Sequence, residues 1–460
     1  MLKKLSKTYF KSVLVCLLLV SMLAAMAGCG GSDNSSAGTT TAVAEDSSSA
    51  GTSPDASAPA EEELSGTVHA ISWNNSETAL EAGAKKFMEE HPGVTIEVEK
   101  VPDNTKLYTQ LAAGSGVPDI MQFQNRDNLT VLAKYPGSFA DITDIMKPEE
   151  NNFLSAVLPL CREDGKYYAI PWDVAPAMLF YRKDIFESAK VDPNSLKTWD
   201  DFITAGKQID ASTNGKVKMF GFDYNGASSF DMPLLLFYEL GGTFYDKDGK
   251  VKFDSPEMIQ AFQMVQKFID AGITVNLPNE WSDRLTAIAN NTLATVNYGI
   301  WFTGTLSTNL QDQSGKWGLI PLPAFTEGGN NQANSGGSTV MFHSKSENLP
   351  LAKAFMKWFL MSDEGNAINL KAGGLFDAYT PSYKDPSYAE VDPYFGISTA
   401  QFAAGVSEKI PPLNFPAYFT DVGTVFQNNA IGQYFVKHND LQTVLKEATA
   451  TAQKTVDNLQ

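Results

Sequence analysis

Cysteine is scarce in this 460-residue chain, which contains only Cys16, Cys29 and Cys161. The first two lie near the N-terminus, so the remainder of the chain holds one cysteine and cannot form an internal disulfide. A chain of this length can bury a large hydrophobic core and does not depend on covalent cross-links. We therefore expect a body that is held together by apolar packing alone.

Basic residues are also too few for a protein that binds nucleic acid. The chain has 35 Lys and Arg against 53 Asp and Glu, which gives a formal net charge of -18. Nucleic-acid binding depends on clustered Lys and Arg that neutralise phosphates. We predict no nucleic-acid partner, and we interpret the acidic excess as a source of solubility outside the cell.

The chain also has few histidines and no recognisable catalytic motif. None of the four histidines has metal-site or triad spacing; they are His69, His91, His343 and His438. The chain also has no G-x-S-x-G, Walker A or G-x-G-x-x-G motif. We expect no metal, no cofactor and no enzymatic activity, although the abundant Asp and Glu leave a glycosidase carboxylate pair open.

The N-terminal segment has the three regions of a bacterial export signal. Four lysines in the first 11 residues precede an apolar run at residues 13–20, which is too short for a strong transmembrane helix. The sequence Ala25-Met26-Ala27-Gly28-Cys29 then resembles the lipobox of bacterial lipoproteins. This resemblance implies a signal peptide at residues 1–28 and lipidation at Cys29, whose palmitate and other acyl chains anchor the protein to the cell membrane.

Residues 29–63 are mostly Gly, Ser, Thr, Ala, Asp and Pro after the cysteine. Such a segment buries too little apolar surface to offset backbone entropy, so we expect it to be disordered. Placed after a lipid anchor, it would be a tether through the cell wall. We therefore expect the protein at the extracellular face of the membrane in a Gram-positive-type envelope.

The folded part opens with an alternation of strands and helices. Period-2 patterns predict strands at residues 67–71, 94–98 and 119–123, and apolar residues at helical spacing predict helices at 76–90 and 103–112. A β-α-β-α-β order is typical of an α/β fold with a mostly parallel sheet and helices on both faces.

Similar patterns continue to the C-terminus. We predict further strands at residues 167–171, 178–181, 295–299, 317–322 and 339–342. Helices are expected after the capping sequence at Thr198 and after Ser255-Pro256. The C-terminal part is expected to be helical at residues 351–360, 419–435 and 441–459.

Aromatic and amide residues remain as candidates for binding chemistry. Four tryptophans lie at or beyond predicted strand ends or in Gly/Pro/Asn-rich segments, where open α/β sheets form their ligand crevice; they are Trp73, Trp172, Trp281 and Trp301. Polar residues beside these aromatics are Asn74, Asn75, Gln124, Asn125, Asp127 and Asp173. Sugars need apolar faces to stack on and planar polar groups for their hydroxyls. The remaining tryptophans, Trp199, Trp317 and Trp358, fit core positions.

An ordered series of motifs resembles the family 1 bacterial extracellular solute-binding proteins. The residues that carry it are 165–171 (GKYYAIP) and 179–186 (LFYRKDIF), with Arg182 where the family usually has Asn. Further matches are 87–94 (FMEEHPGV), 198–202 (TWDDF), 317–323 (WGLIPLP), 336–338 (GGS) and 362–365 (SDEG). The similarity extends from about residue 67 to the C-terminus.

The resemblance implies a two-lobed periplasmic-binding-protein-like fold of type II, with a mostly parallel sheet flanked by helices in each lobe and a hinge that the chain crosses several times. We expect residues 64–174 and 326–361 in lobe 1, and residues 175–325 and 362–460 in lobe 2. The hinge crossings are expected near residues 171–178, 322–325 and 361–365. The lobes would close around a ligand bound between them.

The resemblance also suggests ligand-binding positions. The loop after the third strand maps to Gln124, Asn125 and Asp127, and the G-x-W sequence maps to Trp301, the strongest stacking candidate. Further expected binding positions are Trp73, Asn74, Trp172, Asp173, Ser335, Gly336, Gly337, Phe415 and Tyr418, with Trp281 and Asp283 as weaker candidates.

The expected function is capture of a small ligand, an oligosaccharide above all, for an ABC transporter permease, by a monomeric protein. Polyamine, glycerol phosphate and ferric iron stay open as ligands. Two further roles also stay open, those of a secreted glycan-active enzyme and of a purely structural surface lipoprotein.

Overall fold

The computed structural model describes residues 63–226 and 231–460, except the side chains of Asp231 and Glu280. These residues lie in one compact unit, Glu62–Gln460. The predicted signal peptide, the lipidation site Cys29 and nearly all of the predicted tether lie outside the described residues. Within the described ranges, no helix combines the length and the apolar character needed to cross a membrane.

Eleven strands are found in the described part of the chain. They are β1 (Gly66–Ser72), β2 (Val94–Lys100), β3 (Ile120–Gln124), β4 (Arg162–Glu163), β5 (Lys166–Tyr167), β6 (Ala169–Arg182), β7 (Phe220–Phe222), β8 (Thr274–Asn276), β9 (Thr295–Gly299), β10 (Trp317–Pro321) and β11 (Asn334–Phe342).

The same residues form sixteen α-helices. They are α1 (Asn74–Glu90), α2 (Thr105–Ala113), α3 (Asn128–Lys134), α4 (Thr143–Met146), α5 (Lys183–Ala189), α6 (Trp199–Ser212), α7 (Asp231–Glu239), α8 (Pro256–Asp270), α9 (Glu280–Ala289), α10 (Phe302–Asn309), α11 (Leu349–Met361), α12 (Asp363–Ile368), α13 (Thr399–Ser407), α14 (Phe419–Phe426), α15 (Gly432–Phe435) and α16 (Leu441–Leu459).

The predicted β-α-β-α-β opening is confirmed. Strand β1 lies between β2 and β3 and pairs in parallel with both, with Val68 opposite Ile96 and Ala70 opposite Ile120. Helix α1 is amphipathic, and its buried side includes Leu80 and Phe87. Because parallel strands need a crossover, α1 and α2 supply the two connections and cover the sheet.

The central strand β6 corrects the sequence prediction. Residues 167–171 and 178–181 were expected to be separate strands, but Ala169–Arg182 forms one strand of 14 residues. Its N-terminal half pairs antiparallel with β11, and its C-terminal half pairs antiparallel with β9 and β10. The large sheet is therefore mixed, and only the β1–β3 part is parallel.

Strand β6 links two bodies. We call the part of the sheet formed by β1, β2, β3 and β11, on the N-terminal half of β6, the first lobe. We call the part formed by β9 and β10 on its C-terminal half, together with the separate two-stranded sheet β7–β8, the second lobe. In the second lobe, Phe244 packs against Phe253, Phe419 and Phe426 with ring centroids 5.1 to 5.2 Å apart. The residue boundaries predicted for the two lobes stay a prediction.

Several local predictions are confirmed by cap geometry. Thr198 and Asp201 form a reciprocal capping box at the start of α6, and Ser255 caps α8 ahead of its N-terminal proline. Near the C-terminus, the single helix expected at residues 419–435 is interrupted by a π-helical turn at Gln427–Ile431. The predicted core tryptophans Trp199 and Trp317 are fully buried.

Candidate functional site

A cleft of about 720 Å³ lies where the C-terminal ends of β1 and β3 meet the middle of β6, the end of β9 and the start of β11. It receives residues from both lobes. Eleven of the residues expected to bind ligand line this cleft, and they are Trp73, Asn74, Gln124, Asn125, Asp173, Trp281, Trp301, Ser335, Gly336, Gly337 and Phe415. Residues distant in sequence are thus brought together at one place, as expected at the strand ends of an open α/β sheet.

The second lobe contributes an aromatic wall, which we define as Trp281, Tyr298 and Trp301. The ring centroids of Trp281 and Trp301 are 6.2 Å apart, and those of Tyr298 and Trp301 are 5.2 Å apart. Trp281 is 45% exposed, although large apolar side chains are usually covered. Trp281 and Trp301 therefore offer apolar ring surface inside the cleft, whereas Tyr298 is only 3% exposed and packs against Trp301.

Trp301 is held in place by the chain opposite it. Its Nε1 donates a hydrogen bond of 2.8 Å to the carbonyl oxygen of Ser335. The backbone at Gly336 has a φ of +124°, and a Cβ atom there would lie 3.1 Å from Trp301 Nε1. Glycine therefore permits both the backbone conformation and the close approach of the indole.

The first lobe and β6 contribute a polar wall, which we define as Gln122, Asn125, Asp173 and Ser338. Gln122 Nε2 donates to Ser338 Oγ at 3.0 Å, and its Oε1 accepts from Ser72 Oγ at 2.6 Å. Ser338 donates to Asp173 Oδ1 through its hydroxyl and also through its backbone N–H at 2.9 Å. These buried groups satisfy one another, so the wall is rigid before any ligand arrives.

Amide side chains fix the glycine segment between the two walls. Asn125 Nδ2 and Asn334 Nδ2 both donate to the carbonyl oxygen of Gly336, at 3.0 and 2.5 Å. Asn125 is almost completely buried, whereas Asn74 and Asn75 are exposed at the start of α1. The exposed pair can therefore bind ligand hydroxyls, while the buried amide maintains the shape of the cleft.

Few formal charges face the cleft. Among the described residues that line it, Arg126 is the only basic side chain and Asp173 is the only carboxylate. Burial raises the pKa of Asp173, and the two hydrogen bonds from Ser338 oppose that rise. A chain with a net charge of -18 thus presents a cleft dominated by aromatic and amide groups.

A second buried carboxylate lies behind the polar wall. Asp377 is completely buried, accepts a hydrogen bond of 2.5 Å from Asn369 Nδ2 and also accepts one from Tyr388. Its backbone bridges that of Asp173. Burial first, and the negative charge of Asp173 in addition, raise the pKa of Asp377 to about 7.

Four predicted positions do not line the cleft, and the first is Trp172. Trp172 is only 1% exposed, packs edge-on against Phe359 and donates from Nε1 to Asn369 Oδ1 at 2.7 Å. The prediction that it faces the cleft is wrong, because successive side chains of a strand point to opposite faces and Asp173 occupies the cleft face.

The other three positions that do not line the cleft are Asp127, Tyr418 and the weaker candidate Asp283. Asp127 accepts a hydrogen bond from Thr420 at the edge of the cleft instead of pointing into it. Tyr418 adopts a φ of +66° and donates from its hydroxyl to the carbonyl of Leu459 at 3.1 Å, so its neighbour Phe419 lines the cleft in its place. The weaker candidate Asp283 accepts from the backbone N–H of Asn279 near the start of α9.

The sequence interpretation also missed residues that line the cleft. The main omissions are Tyr238, Tyr298, Arg126, Phe419, Leu234 and Leu235. Period-2 alternation in β9 could have indicated Tyr298, since it lies two residues from Val296 and next to the G-x-W sequence. Between Asp231 and Glu239, helix α7 is apolar apart from Tyr238 itself and has no clear polar face, so its sequence contains no signal that Tyr238 faces a cleft.

Metal ligation has no candidate in the part of the chain that the structure describes. No group of three or more His, Cys, Asp or Glu side chains is placed there to hold a metal ion. The one described cysteine, Cys161, is buried, and burial raises the pKa of its thiol.

Comparison with known proteins supports the motif series. The family model described as "Bacterial extracellular solute-binding protein" matches residues 72–366. An arabinooligosaccharide-binding protein of Halalkalibacterium halodurans is 26% identical over 77% of this chain and 79% of its own length. A lactose-binding protein of Rhizobium radiobacter is 26% identical over 80% of this chain and 87% of its own length.

Solved structures of similar proteins have the same architecture as this chain. The sugar-binding protein MalE from Xanthomonas citri superposes with a TM-score of 0.73 at 18% identity, over 85% of this chain and 98% of that one. The two-lobed type II periplasmic-binding-protein-like fold expected from the motifs is confirmed.

Proposed function

This chain belongs to the bacterial extracellular solute-binding proteins, and from that membership and the cleft we propose that it captures a carbohydrate for an ABC importer. The ligand that we propose is an oligosaccharide. The protein would bind it between the lobes at the extracellular side and deliver it to the membrane permease.

The observation that carries the proposal is the exposed aromatic wall opposite amide and hydroxyl groups. Sugar rings have apolar C–H faces that stack on Trp and Tyr rings, and hydroxyls that bind to planar polar groups. Trp281 and Trp301 present such faces 6.2 Å apart, which suits adjacent rings of one oligosaccharide better than a single small ion. Relatives named for arabinooligosaccharides and lactose support the same ligand class.

The proposed cycle is a hinge movement without covalent chemistry. Strand β6 continues from the sheet of the first lobe into that of the second, so a small bend there would change the width of the cleft. The ligand stabilises the closed arrangement because it contacts both walls only when the lobes approach each other. The closed protein is then the form that the permease recognises.

The composition of the cleft weighs against the non-sugar ligands. A polyamine would be favoured by several converging carboxylates, but among the described lining residues only Asp173 is a carboxylate, and Ser338 occupies one of its oxygens. Ferric iron would be favoured by paired tyrosines with a carboxylate, but Tyr167 and Tyr168, the adjacent pair in the sequence, do not line the cleft. Of the tyrosines that do line it, Tyr298 packs its ring against Trp301 and the guanidinium of Arg284. Glycerol phosphate would depend on Arg126, the single described guanidinium of the lining.

An enzymatic role is also disfavoured by the site. Most glycosidases use two carboxyl groups that flank the scissile bond at about 5 to 10 Å from each other. The described lining of this cleft offers Asp173 alone, and Asp377 lies fully buried behind it. Binding therefore accounts for the geometry better than hydrolysis.

We further propose that the mature protein is anchored to the membrane through a lipid on Cys29 and acts as a monomer. The lipid anchor is supported by the order of basic, apolar and lipobox-like segments in residues 1–29. Cys29→Ala should release the protein into the medium and abolish incorporation of radioactive palmitate. Retention of both label and membrane location would contradict the anchor.

The binding proposal is tested by calorimetric titration after a thermal-shift screen. The panel comprises arabinotriose, lactose, maltotriose, spermidine, glycerol phosphate and ferric citrate. We expect an oligosaccharide to raise the melting temperature, because a ligand that binds only the folded state stabilises it by mass action. A shift with spermidine, glycerol phosphate or iron alone, or cleavage of a bound glycan, would overturn the proposal.

A further inference from the structure

Two polar contacts join the lobes beside the cleft. Lys134 Nζ lies 3.0 and 2.8 Å from the two carboxylate oxygens of Asp421. Thr420 Oγ1 donates a hydrogen bond of 2.5 Å to Asp127 Oδ1. We name these four residues, Asp127, Lys134, Thr420 and Asp421, the clasp.

One side of the clasp is fixed to the first lobe. Lys134 is the last residue of α3. This helix is attached through Asn128, whose Nδ2 donates to the carbonyl of Leu160 at 3.0 Å and whose Oδ1 accepts from Thr339 of β11 at 2.7 Å. Because Asn128 is fully buried, α3 moves with the sheet of the first lobe.

The opposite side belongs to the second lobe. Thr420 and Asp421 lie in the first turn of α14. Phe419 of this turn stacks on Phe244 with ring centroids 5.2 Å apart, and Phe426 packs on Phe253 at 5.0 Å. Helix α14 is therefore part of the aromatic core of the second lobe, so the clasp connects two separate cores.

The clasp lies at the edge of the cleft itself. Arg126 lines the cleft from the first lobe, and the next residue along the chain is Asp127. Phe419 lines it from the second lobe, and the next residue is Thr420. A hinge movement that widens the cleft on this side must therefore lengthen both clasp contacts.

Electrostatics make such a contact sensitive to ionic strength. The side chains of Lys134 and Asp421 are 35% and 26% exposed, so salt can screen their attraction. Burial raises the pKa of Asp127, while the hydrogen bond from Thr420 favours its charged form. The hydroxyl of Thr420 carries no charge, so salt screens this hydrogen bond less than it screens the attraction between two charged groups.

We propose that the clasp holds the lobes together and slows the release of a ligand from the cleft, with a strength that falls as salt rises. This inference rests on the proposed binding function of the cleft, and it adds residues that contact no ligand. They act by positioning one lobe against the other.

A matched pair within one lobe provides the control. Lys353 of α11 contacts both carboxylate oxygens of Asp144 of α4, at 2.7 and 2.8 Å. The chemistry is the same as in the Lys134–Asp421 pair, but Lys353 and Asp144 both pack on the first lobe. Removing the control pair should leave the relative movement of the lobes unchanged.

The first experiment measures dissociation rates by stopped flow, with arabinotriose and lactose as probes. At about 0.05 M salt, Lys134→Met and Asp421→Ala should each release the bound probe roughly two- to fivefold faster, as expected for a partly exposed ion pair. Their combination should be no faster than either alone. The charge exchange Lys134→Asp with Asp421→Lys should restore the slow rate.

The remaining variants separate the two contacts. Thr420→Val should speed release by roughly two- to tenfold at both low and high salt, since it removes a hydrogen bond to a carboxylate. At about 1 M salt, wild type should approach the rate of Lys134→Met. Lys353→Met and Asp144→Ala should release the probe at the wild-type rate; acceleration equal to that of the clasp variants would overturn the inference.

The second experiment needs no ligand. Small-angle X-ray scattering should show a larger radius of gyration for Lys134→Met than for wild type at low salt, and no change for Lys353→Met. Identical scattering of all three proteins would contradict the clasp. If no sugar of the screening panel binds, the carbohydrate proposal fails, while the scattering still decides whether the clasp holds the lobes.

Discussion

The two walls of the cleft differ in how their functional groups are used. On the polar wall, Gln122, Asp173 and Ser338 bind to one another and leave little hydrogen-bonding capacity for a ligand. On the aromatic wall, Trp281 and Trp301 leave ring surface open to the cleft. The polar wall is thus a structural element, and we propose that the aromatic wall is the recognition surface.

This difference teaches that position in a cleft does not establish a role in binding. A buried group that is already hydrogen-bonded would lose those partners if it turned to a ligand. An exposed indole loses nothing by stacking and gains when water leaves its face. Substitutions on the polar wall should therefore change stability, and those on the aromatic wall should change affinity.

The largest expected effect concerns Asp377, behind the polar wall. Its pKa lies near 7 in the folded protein, whereas an unfolded Asp titrates near 3.8. The folded state therefore binds more protons between these values, and the free energy of unfolding should fall as pH rises from about 4 to about 7, by at most about 4 kcal/mol. Urea unfolding at a series of pH values measures this slope.

Asp377→Asn removes the titrating group but keeps a similar shape. It should flatten that part of the stability profile and raise stability above pH 7 relative to wild type. The affinity for the sugar should stay within about threefold, because Asp377 does not line the cleft. An unchanged pH profile in this variant would show that a different group causes the slope.

The next effect concerns Trp301. Trp301→Ala should weaken binding of the oligosaccharide by about 100-fold, because Trp side chains at the centre of a binding site carry a large share of the binding energy. Calorimetric titration measures the loss. Trp358→Ala is the control: this indole packs with Phe355 away from the cleft, so stability should fall while affinity stays constant.

Gln122 tests the polar wall directly. Gln122→Ala should lower the free energy of unfolding by about 2 kcal/mol, because the hydroxyls of Ser72 and Ser76 would lose a buried partner. Gln124→Ala, two residues further along the chain, should change stability by less than about 0.5 kcal/mol since Gln124 is half-buried. Equal destabilisation of both variants would refute the structural role of the polar wall.

The smallest expected effect concerns Trp281, the outer member of the aromatic wall. Because it is 45% exposed, water is only partly excluded from its ring. Trp281→Ala should weaken binding by about tenfold and leave the melting temperature unchanged. A loss as large as that of Trp301→Ala would show that both indoles contribute equally.

Local elements of the fold could be predicted well from the sequence. The alternation in residues 94–98 and the capping box at Thr198 specify their strand and helix through neighbours only a few residues away, and both are confirmed. The single strand β6 could not be predicted, because Pro171 and Pro176 suggest interruptions. Both prolines fit into β6 because the pairing of β6 with β11 shifts its register next to each of them.

The candidate site was predictable in composition but not in orientation. The motifs around Gly336 and Trp301 indicated residues that do line the cleft. Nothing in the order of Trp172 and Asp173 shows which of them faces it, since a shift of one residue exchanges the two faces of a strand. The pairing of β6 with β11 settles that register.

The sequence by itself determined the class of this protein. Its hydrophobic periodicity, its capping sequences and its ordered motifs are local properties of the sequence, and they do not depend on the conformation of the chain. Only the tertiary structure decided which aromatic rings stay exposed, which carboxylates lose their water and which side chains of the two lobes meet. These properties depend on contacts between residues far apart in the chain, and such contacts exist only after the sheets have paired and the lobes have packed.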